Sequence, residues 1–204
     1  MDQGPFVVGN LLKTGTPTSG TDQSTYDSGV PCTNAVLGTV GSGVTAVEYG
    51  VGNRRTTVLT IAKVDAFLVA DDASLAHGHL IYTLPAGSVL VEGVSYSLGI
   101  TLAEDTDATP DVGIGTVVGT AAVATLDGTG TFENLVTGQT FADCAGTVAV
   151  NAVAGPTAGY AFPINTADAH TVFVNLAAAW SDTTGDDLTG DLAGTVTINW
   201  LKLS

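Results

Sequence analysis

The sequence has few of the side chains from which catalytic and metal-binding sites are built. Its 204 residues include 3 His, 2 Cys, 1 Met and 5 Lys and Arg together, against 20 Asp and Glu. Catalysis and metal binding need several ionisable or ligating side chains that converge on one point. Because these side chains are scattered along the chain, we expect a protein that is not an enzyme and has no cofactor.

Positive charge is scarce as well, and this argues against a nucleic-acid-binding protein. The formal net charge is −15, whereas proteins that bind nucleic acid neutralise phosphates with clusters of Lys and Arg. No segment offers the roughly 18 consecutive apolar residues of a membrane-spanning helix. The first residues lack the pattern of a secretory signal. We therefore expect no nucleic acid partner, no membrane partner and synthesis in a cytoplasm.

The two cysteines, Cys32 and Cys144, are open to two interpretations. They could pair in a disulfide, or they could remain free and buried. Synthesis in a cytoplasm favours free thiols, because that compartment keeps cysteines reduced.

Long helix-forming runs of Leu, Glu and Lys are absent, and β-branched residues take their place. The chain has 31 Thr and 25 Val but only 4 Glu. β-Branched residues favour pleated sheet, and the frequent Gly residues interrupt helices. Turn signals recur about every ten residues, and there is no repeat of fixed period. The sequence predicts an all-β fold, an antiparallel β-sandwich or jelly-roll-like barrel with an extended N-terminal arm.

The composition divides the chain into two parts. Residues 1–50 are rich in Thr, Ser, Gly and Pro and predict an extended N-terminal arm. Residues 51–204 predict the β-sandwich domain. Two interpretations of the arm stay open: a disordered tail, or a segment that becomes ordered against a neighbouring subunit.

The clearest strand pattern covers residues 94–102, where apolar residues alternate with Ser, Gly and Thr. Val89 and Val91 have the opposite phase, so the change at Glu92-Gly93 predicts a β-bulge at Gly93. Strands are also predicted at residues 80–84, 147–153, 171–176 and 195–203, and a nearly continuous apolar stretch predicts one long strand or two at residues 56–70. In the last strand, one face has Val196, Ile198 and Trp200, and the other has Thr195, Thr197 and Asn199. A hairpin is expected over residues 123–132, and short helices are expected at residues 133–137 and 176–180.

Two groups of residues have the composition of metal sites. His77 and His79 would share one face of a strand and could chelate a metal, although a structural zinc site needs four ligands. Two acidic loops have the oxygen ligands that calcium prefers, without EF-hand spacing. We favour an interpretation without a bound metal. The two histidines would then be polar residues at the start of a strand, and the acidic residues would lie in solvated loops. The calcium candidates are Glu104, Asp105, Asp107, Asp111, Asp182, Asp186 and Asp187.

The candidate interface residues lie in the predicted arm and where it joins the domain. Arg54-Arg55 is the only basic pair, and it is either a solvated junction or a salt bridge to an acidic surface on a neighbour. Trp180 and Trp200 are interpreted as core residues in preference to interface anchors. The interface candidates are Phe6, Val7, Val8, Leu11, Leu12, Arg54 and Arg55.

The chain from about His77 to its end resembles a set of small structural proteins encoded beside the capsid gene in tailed bacteriophages. The matching segments have strand and turn patterns and contain no catalytic motif. They are His77-Gly78-His79-Leu80-Ile81-Tyr82-Thr83-Leu84-Pro85-Ala86-Gly87, Thr109-Pro110-Asp111-Val112-Gly113-Ile114-Gly115-Thr116, Val172-Phe173-Val174-Asn175-Leu176-Ala177 with Trp180, and Gly194-Thr195-Val196-Thr197-Ile198-Asn199-Trp200.

The resemblance implies a virion structural protein, most simply a head decoration (cement) protein on the outer capsid surface. Its partner would be the major capsid protein, whose subunit contacts it would stabilise, and it would form a homo-oligomer, with a trimer favoured. The resemblance supplies no active site. A second hypothesis is a β-sandwich recognition module on the phage tail or head. Such a module would bind a host glycan or receptor, with calcium at the acidic loops.

Overall fold

The computed structural model describes residues 26–27, 30–31, 36–69, 76–102, 109–119, 126–127, 130–141, 147–154, 160–161, 170–177 and 188–203. Throughout these ranges the regular elements are β-strands, and no helix suited to crossing a membrane occurs in them. The strands are β1 Tyr26–Asp27, β2 Val30–Pro31, β3 Thr39–Val40, β4 Val44–Val51, β5 Arg54–Val69, β6 Ala76–Leu84, β7 Val89–Leu102, β8 Asp111–Gly115, β9 Val136–Thr140, β10 Thr147–Ala154, β11 Tyr160–Ala161, β12 His170–Ala177 and β13 Leu188–Lys202.

The strands form two antiparallel sheets that pack as a sandwich. Sheet one has the order β10-β7-β13-β5-β4, and β11 also pairs with β7. Sheet two has the order β3-β6-β12-β8-β9, and β1 and β2 form a separate two-stranded pair among the described strands. The predicted all-β antiparallel sandwich is therefore confirmed.

One apolar core fills the space between the sheets, because alternate residues of each strand point inward. Trp200 of β13 and Ile81 of β6 are both fully buried in it. Tyr96 of β7 joins the two sheets, since its hydroxyl donates a 3.0 Å hydrogen bond to the carbonyl oxygen of Val112 on β8. The prediction that Trp200 is a core residue is confirmed, and Trp180 lies outside the described residues.

The predicted bulge is present in β7. Asn199 pairs with Gly93 and Trp200 pairs with Val91, so Glu92 has no residue opposite it on β13. The extra residue changes the phase of the strand, and Val91 and Val94 both face the core.

The sandwich begins earlier in the chain than the predicted boundary between residues 50 and 51. Strand β3 and all of β4 except Val51 precede that boundary, and these two strands are the edge strands of sheet two and sheet one. Gly52 and Asn53 form the turn between β4 and β5, so the predicted boundary falls inside strand β4. Residues 1–25 of the predicted arm lie outside the described residues.

Two local predictions were wrong in the described residues. The helix expected at residues 133–137 is replaced by bends and the start of strand β9, Val136–Thr140. In the expected hairpin, residues 130–132 form a turn without strand pairing. The second expected helix begins inside β12, and its residues 178–180 lie outside the described part. Tertiary packing explains the difference, because the turn at residues 130–132 packs over sheet two. There Gly115 lets the backbone of Phe132 approach β8 closely.

The outer face of sheet two is covered by its own chain around Asn175, which is fully buried. Asn175 of β12 pairs with Gly78 on β6 and with Gly113 on β8. Its amide donates to the carbonyl oxygens of Val117 at 3.0 Å and Phe132 at 2.6 Å, and it accepts from the Gly119 N–H at 2.7 Å.

Glycines make room for this cover. A Cβ at Gly78 would collide with Asn175 Oδ1 and would lie 2.6 Å from Val118 Cγ2, and a Cβ at Gly113 would lie 2.9 Å from Glu133 Cβ. The segment over sheet two therefore depends on one buried amide and on small residues beside it.

Candidate interaction surface

No described segment covers the outer face of sheet one along four neighbouring strands. Its residues alternate with core residues, and small polar and β-branched side chains predominate. We name this surface the threonine face, and it consists of Thr45, Val47 and Tyr49 of β4, Thr56, Val58, Thr60 and Ala62 of β5, Ala193, Thr195, Thr197 and Asn199 of β13, and Gly93, Ser95, Ser97 and Gly99 of β7.

Strand register aligns the hydroxyl groups of this face in rows. Thr195 lies between Thr60 and Ser97, and Thr60 lies beside Thr45. Neighbouring strands are about 4.8 Å apart, so such a row presents one hydroxyl at each strand. Two rows further along the strands, Thr56 Oγ1 donates to Asn199 Oδ1 at 2.8 Å. The face therefore combines methyl groups with hydroxyls that can both donate and accept.

The threonine face contains no Asp, Glu, Lys or Arg, although the chain has a net charge of −15. Among the described side chains, charges flank this face at its ends. At one end Arg54 forms a two-pronged salt bridge to Glu92, with Nη2–Oε1 at 2.7 Å and Nε–Oε2 at 2.8 Å. At the other end, Asp191 is in the row with Thr101. A neutral surface lets another molecule approach closely without leaving a charge buried and unpaired.

The size of the threonine face limits what one copy can bind. Four strands at about 4.8 Å and about seven residues at 3.4 Å each give roughly 19 Å by 24 Å, or about 450 Å². A stable pairwise interface buries about 800 Å² on each partner. One such contact is therefore small, and its effect would be large only where many copies bind at once.

A buried polar network lies between the sheets beneath β4 and β5. Glu48 Oε2 accepts hydrogen bonds from Thr57 Oγ1 and the Tyr82 hydroxyl, both at 3.1 Å, and from the Leu37 N–H at 3.4 Å. Arg55 Nη1 lies 3.7 Å from Glu48 Oε1. The side chains of Glu48 and Arg55 are 0% and 4% exposed, so this ion pair is inside the sandwich.

The network also fixes the segment that precedes β3. The Gly38 N–H donates to the Tyr82 hydroxyl at 2.9 Å, next to the Leu37 contact with Glu48. Loss of hydration on burial raises the pKa of Glu48 above its ordinary value of 4.5, and the hydrogen bonds and the charge of Arg55 partly offset this effect. A carboxyl group in these surroundings can bind or release a proton nearer to neutral pH than a surface glutamate.

The interface candidates are placed in three different ways. Arg54 is exposed and paired with Glu92 of its own chain. Arg55 is buried beside Glu48. The apolar candidates of the arm, Phe6, Val7, Val8, Leu11 and Leu12, lie outside the described residues.

The metal candidates are largely separate or outside the described residues. In the described ranges, no three His, Cys, Asp or Glu side chains form a group that could hold a metal ion. His79 Nε2 lies 2.8 Å from the carbonyl oxygen of Ser42. Asp111 accepts from Thr140 Oγ1 at 2.6 Å and from the Leu126 N–H at 3.2 Å. The calcium candidates outside the described residues are Glu104, Asp105, Asp107, Asp182, Asp186 and Asp187.

Sequence reasoning missed the residues that organise these features. Thr195, Thr197 and Asn199 were recognised as one face of a strand, but nothing marked that face as open. Glu48 and Asn175 were not singled out. A signal was present for each, because Glu48 follows the alternating residues Val44 and Ala46, and Asn175 interrupts the apolar run at residues 172–177.

No protein-family model matches the sequence, and no curated protein is significantly similar to it. Among solved structures, the chain is similar to the crystal structure of the infectious bursal disease virus VP2 subviral particle, with 13% sequence identity and a TM-score of 0.27. The similarity covers 78% of this chain and 40% of that chain. This chain therefore corresponds to less than half the length of the viral chain.

Proposed function

We propose that this chain is a virion structural protein, specifically a decoration or cement protein. It binds the outer surface of an assembled phage head as a small cyclic oligomer, with a trimer favoured. Its partner is the major capsid protein, and its effect is to stabilise contacts between capsid subunits. Binding of the assembled shell, in preference to separated subunits, raises the free energy needed to pull those subunits apart.

The observation that carries this proposal is the uncharged threonine face on a chain of net charge −15. The acidic remainder of the surface discourages further aggregation of these oligomers when they are not bound to the shell. The neutral face permits close contact with a protein surface, and its small area suits binding that is repeated over a lattice. The segments that resemble phage structural proteins give independent sequence support.

The proposal is tested first on particles purified from the virus that encodes the chain. Quantitative mass spectrometry should find the chain in a fixed ratio to the major capsid protein. A copy number far below that of the capsid subunits would contradict the decoration role. Recombinant protein should also bind shells that lack it and raise their temperature of disassembly.

A charged substitution on the threonine face tests the binding surface. Thr195→Glu places a carboxylate at the centre of the face, where a bound partner would bury it, and should weaken shell binding at least about tenfold. Thr137→Glu is the matched control, since Thr137 is also an exposed threonine but belongs to β9 of sheet two. Equal binding by both variants would remove the threonine face from the proposal.

A further inference from the structure

The polar network around Glu48 places a charged pair at the point where the N-terminal part of the chain joins the sandwich. Glu48 of β4 and Arg55 of β5 are buried, and the amides of Leu37 and Gly38 are bound to Glu48 and to Tyr82 of β6. Burying such a pair has a desolvation penalty that can exceed the attraction between its charges. Apolar residues would fill the same space without that penalty.

The two oxygens of Glu48 have different surroundings. Oε2 accepts the hydrogen bonds from Leu37, Thr57 and Tyr82. Among the described residues no hydrogen-bond donor reaches Oε1, whose neighbour is Arg55 Nη1 at 3.7 Å. A proton can therefore bind Oε1 while every hydrogen bond to Oε2 remains, so the network is compatible with a neutral and with an ionised Glu48.

We propose that Glu48 and Arg55 form a proton-sensitive contact that holds residues 37 and 38 against the sandwich. Arg55 preserves this contact when Glu48 is ionised. When Glu48 is neutral, its hydrogen bonds alone preserve this contact. Ionised Glu48 is stable at this depth only beside the guanidinium, and without it the segment must open to let water reach the carboxylate. This inference is independent of the proposed function.

The charged and titratable groups around Glu48 are few in the described residues. Strand β5 contributes Arg55 and β6 contributes Tyr82, whereas β13 contributes the indole of Trp200, which donates to Thr57 Oγ1 at 2.9 Å. The segment before β3 contributes backbone amides. Burial raises the pKa of Tyr82 as well, so Tyr82 stays neutral when Glu48 ionises.

The sign of the pH effect follows from the raised pKa of Glu48. A carboxyl group whose pKa is higher in the folded state contributes stability that is full below pH 4.5 and is lost as pH rises through the folded value. Arg55 lowers that folded value and so limits the loss. Removing Arg55 should raise the pKa further and enlarge the loss at neutral pH.

The test is hydrogen exchange at the amides of Leu37 and Gly38, expressed as protection factors at about pH 5 and about pH 8. The wild-type protein should lose little protection between the two pH values, because Arg55 limits the loss. Arg55→Met should keep protection at acid pH and lose about tenfold or more at the higher pH, because each pKa unit corresponds to a tenfold change in population. Arg54→Met is the matched control, because Arg54 is 73% exposed and bound to Glu92, and it should leave both amides unaffected.

A second variant keeps the test decisive if Arg55→Met is unstable. Glu48→Gln combined with Arg55→Met removes both charges and retains an amide oxygen as acceptor, so its protection should be independent of pH. The proposal is overturned if Arg55→Met shows the same protection at both pH values. It is also overturned if the double variant shows the pH dependence expected of Arg55→Met.

Discussion

The indole Nε1 of Trp200 donates a 2.9 Å hydrogen bond to Thr57 Oγ1, which lies 143 residues earlier in the chain. The same hydroxyl donates to Glu48 Oε2 at 3.1 Å. One threonine hydroxyl thus joins the central strand β13 to the carboxylate of the edge strand β4. All three side chains are buried, so neither the Trp200 indole nor the Glu48 carboxylate can form a hydrogen bond to water if the hydroxyl is removed.

Thr57→Val should lower the free energy of unfolding by about 1–3 kcal/mol, because it leaves buried polar atoms of Trp200 and Glu48 without this partner. The measurement is urea denaturation followed by tryptophan fluorescence and by circular dichroism. Thr56→Val is the control, since the hydroxyl of Thr56 bonds Asn199 at an exposed position. Equal losses in the two variants would show that burial of the network does not matter.

Asn175→Leu should destabilise the cover over sheet two. It removes the partners of the Val117 and Phe132 carbonyl oxygens and of the Gly119 N–H, at a cost of about 1–3 kcal/mol for each buried group left unsatisfied. Limited proteolysis should then cleave near residues 116–119 faster than in the wild-type protein. Asn199→Asp keeps its acceptor oxygen for Thr56 and should be nearly neutral. Unchanged cleavage in Asn175→Leu would contradict the role given to this amide.

Gly78→Ala should cost about 1–3 kcal/mol, because the new methyl group would overlap Asn175 Oδ1 and crowd Val118. Gly93→Ala is the matched control, since a Cβ at Gly93 meets no atom within 4 Å. Thermal unfolding of the two variants separates a packing effect from a general effect of alanine in a strand. A larger loss for Gly93→Ala than for Gly78→Ala would contradict the packing argument.

Alkaline unfolding should depend on Tyr96. Burial, with a smaller contribution from the charge of Asp111, raises the pKa of Tyr96 above its ordinary value of 10. The stability linked to this group is full below pH 10 and is lost as pH rises toward the folded value. Tyr96→Phe should cost about 1 kcal/mol at neutral pH through the lost bond to Val112, and should reduce the loss of stability above about pH 10.

Urea denaturation over a pH series, with phenolate absorbance, measures both effects of Tyr96→Phe. Tyr49→Phe on the threonine face is the comparison variant. Ionisation of Tyr96 near pH 10 in the folded protein would contradict its burial.

Local sequence patterns predicted the strands well where one face of the strand is apolar. The alternation from Val94 to Leu102 and the change of phase at Glu92-Gly93 predicted both β7 and its bulge. The neighbours of each strand could not be predicted in the same way. Strand β13 lies between β5 and β7, partners about 130 and 100 residues earlier in the chain, and alternation contains no information about such pairing.

The sequence predicted the polar strand faces of the candidate surface but not their exposure. Thr195, Thr197 and Asn199 were recognised as one polar face, and a similar pattern of Ser95 and Ser97 was recognised on β7. The two sheets differ because Gly78, Gly113 and Gly115 admit a covering segment on sheet two. Only the packed structure shows that sheet one has no comparable cover over these four strands in the described part of the chain.

The amino-acid sequence by itself determined an acidic all-β chain with few reactive side chains, because β-branched residues, glycine and alternation act locally and need no distant partner. The tertiary structure decided where the few charges lie. Arg54 and Arg55 are adjacent in sequence, yet one is exposed beside Glu92 and the other is buried beside Glu48. Successive residues of a strand point to opposite faces, and only the packing of a second sheet makes one of those faces an interior.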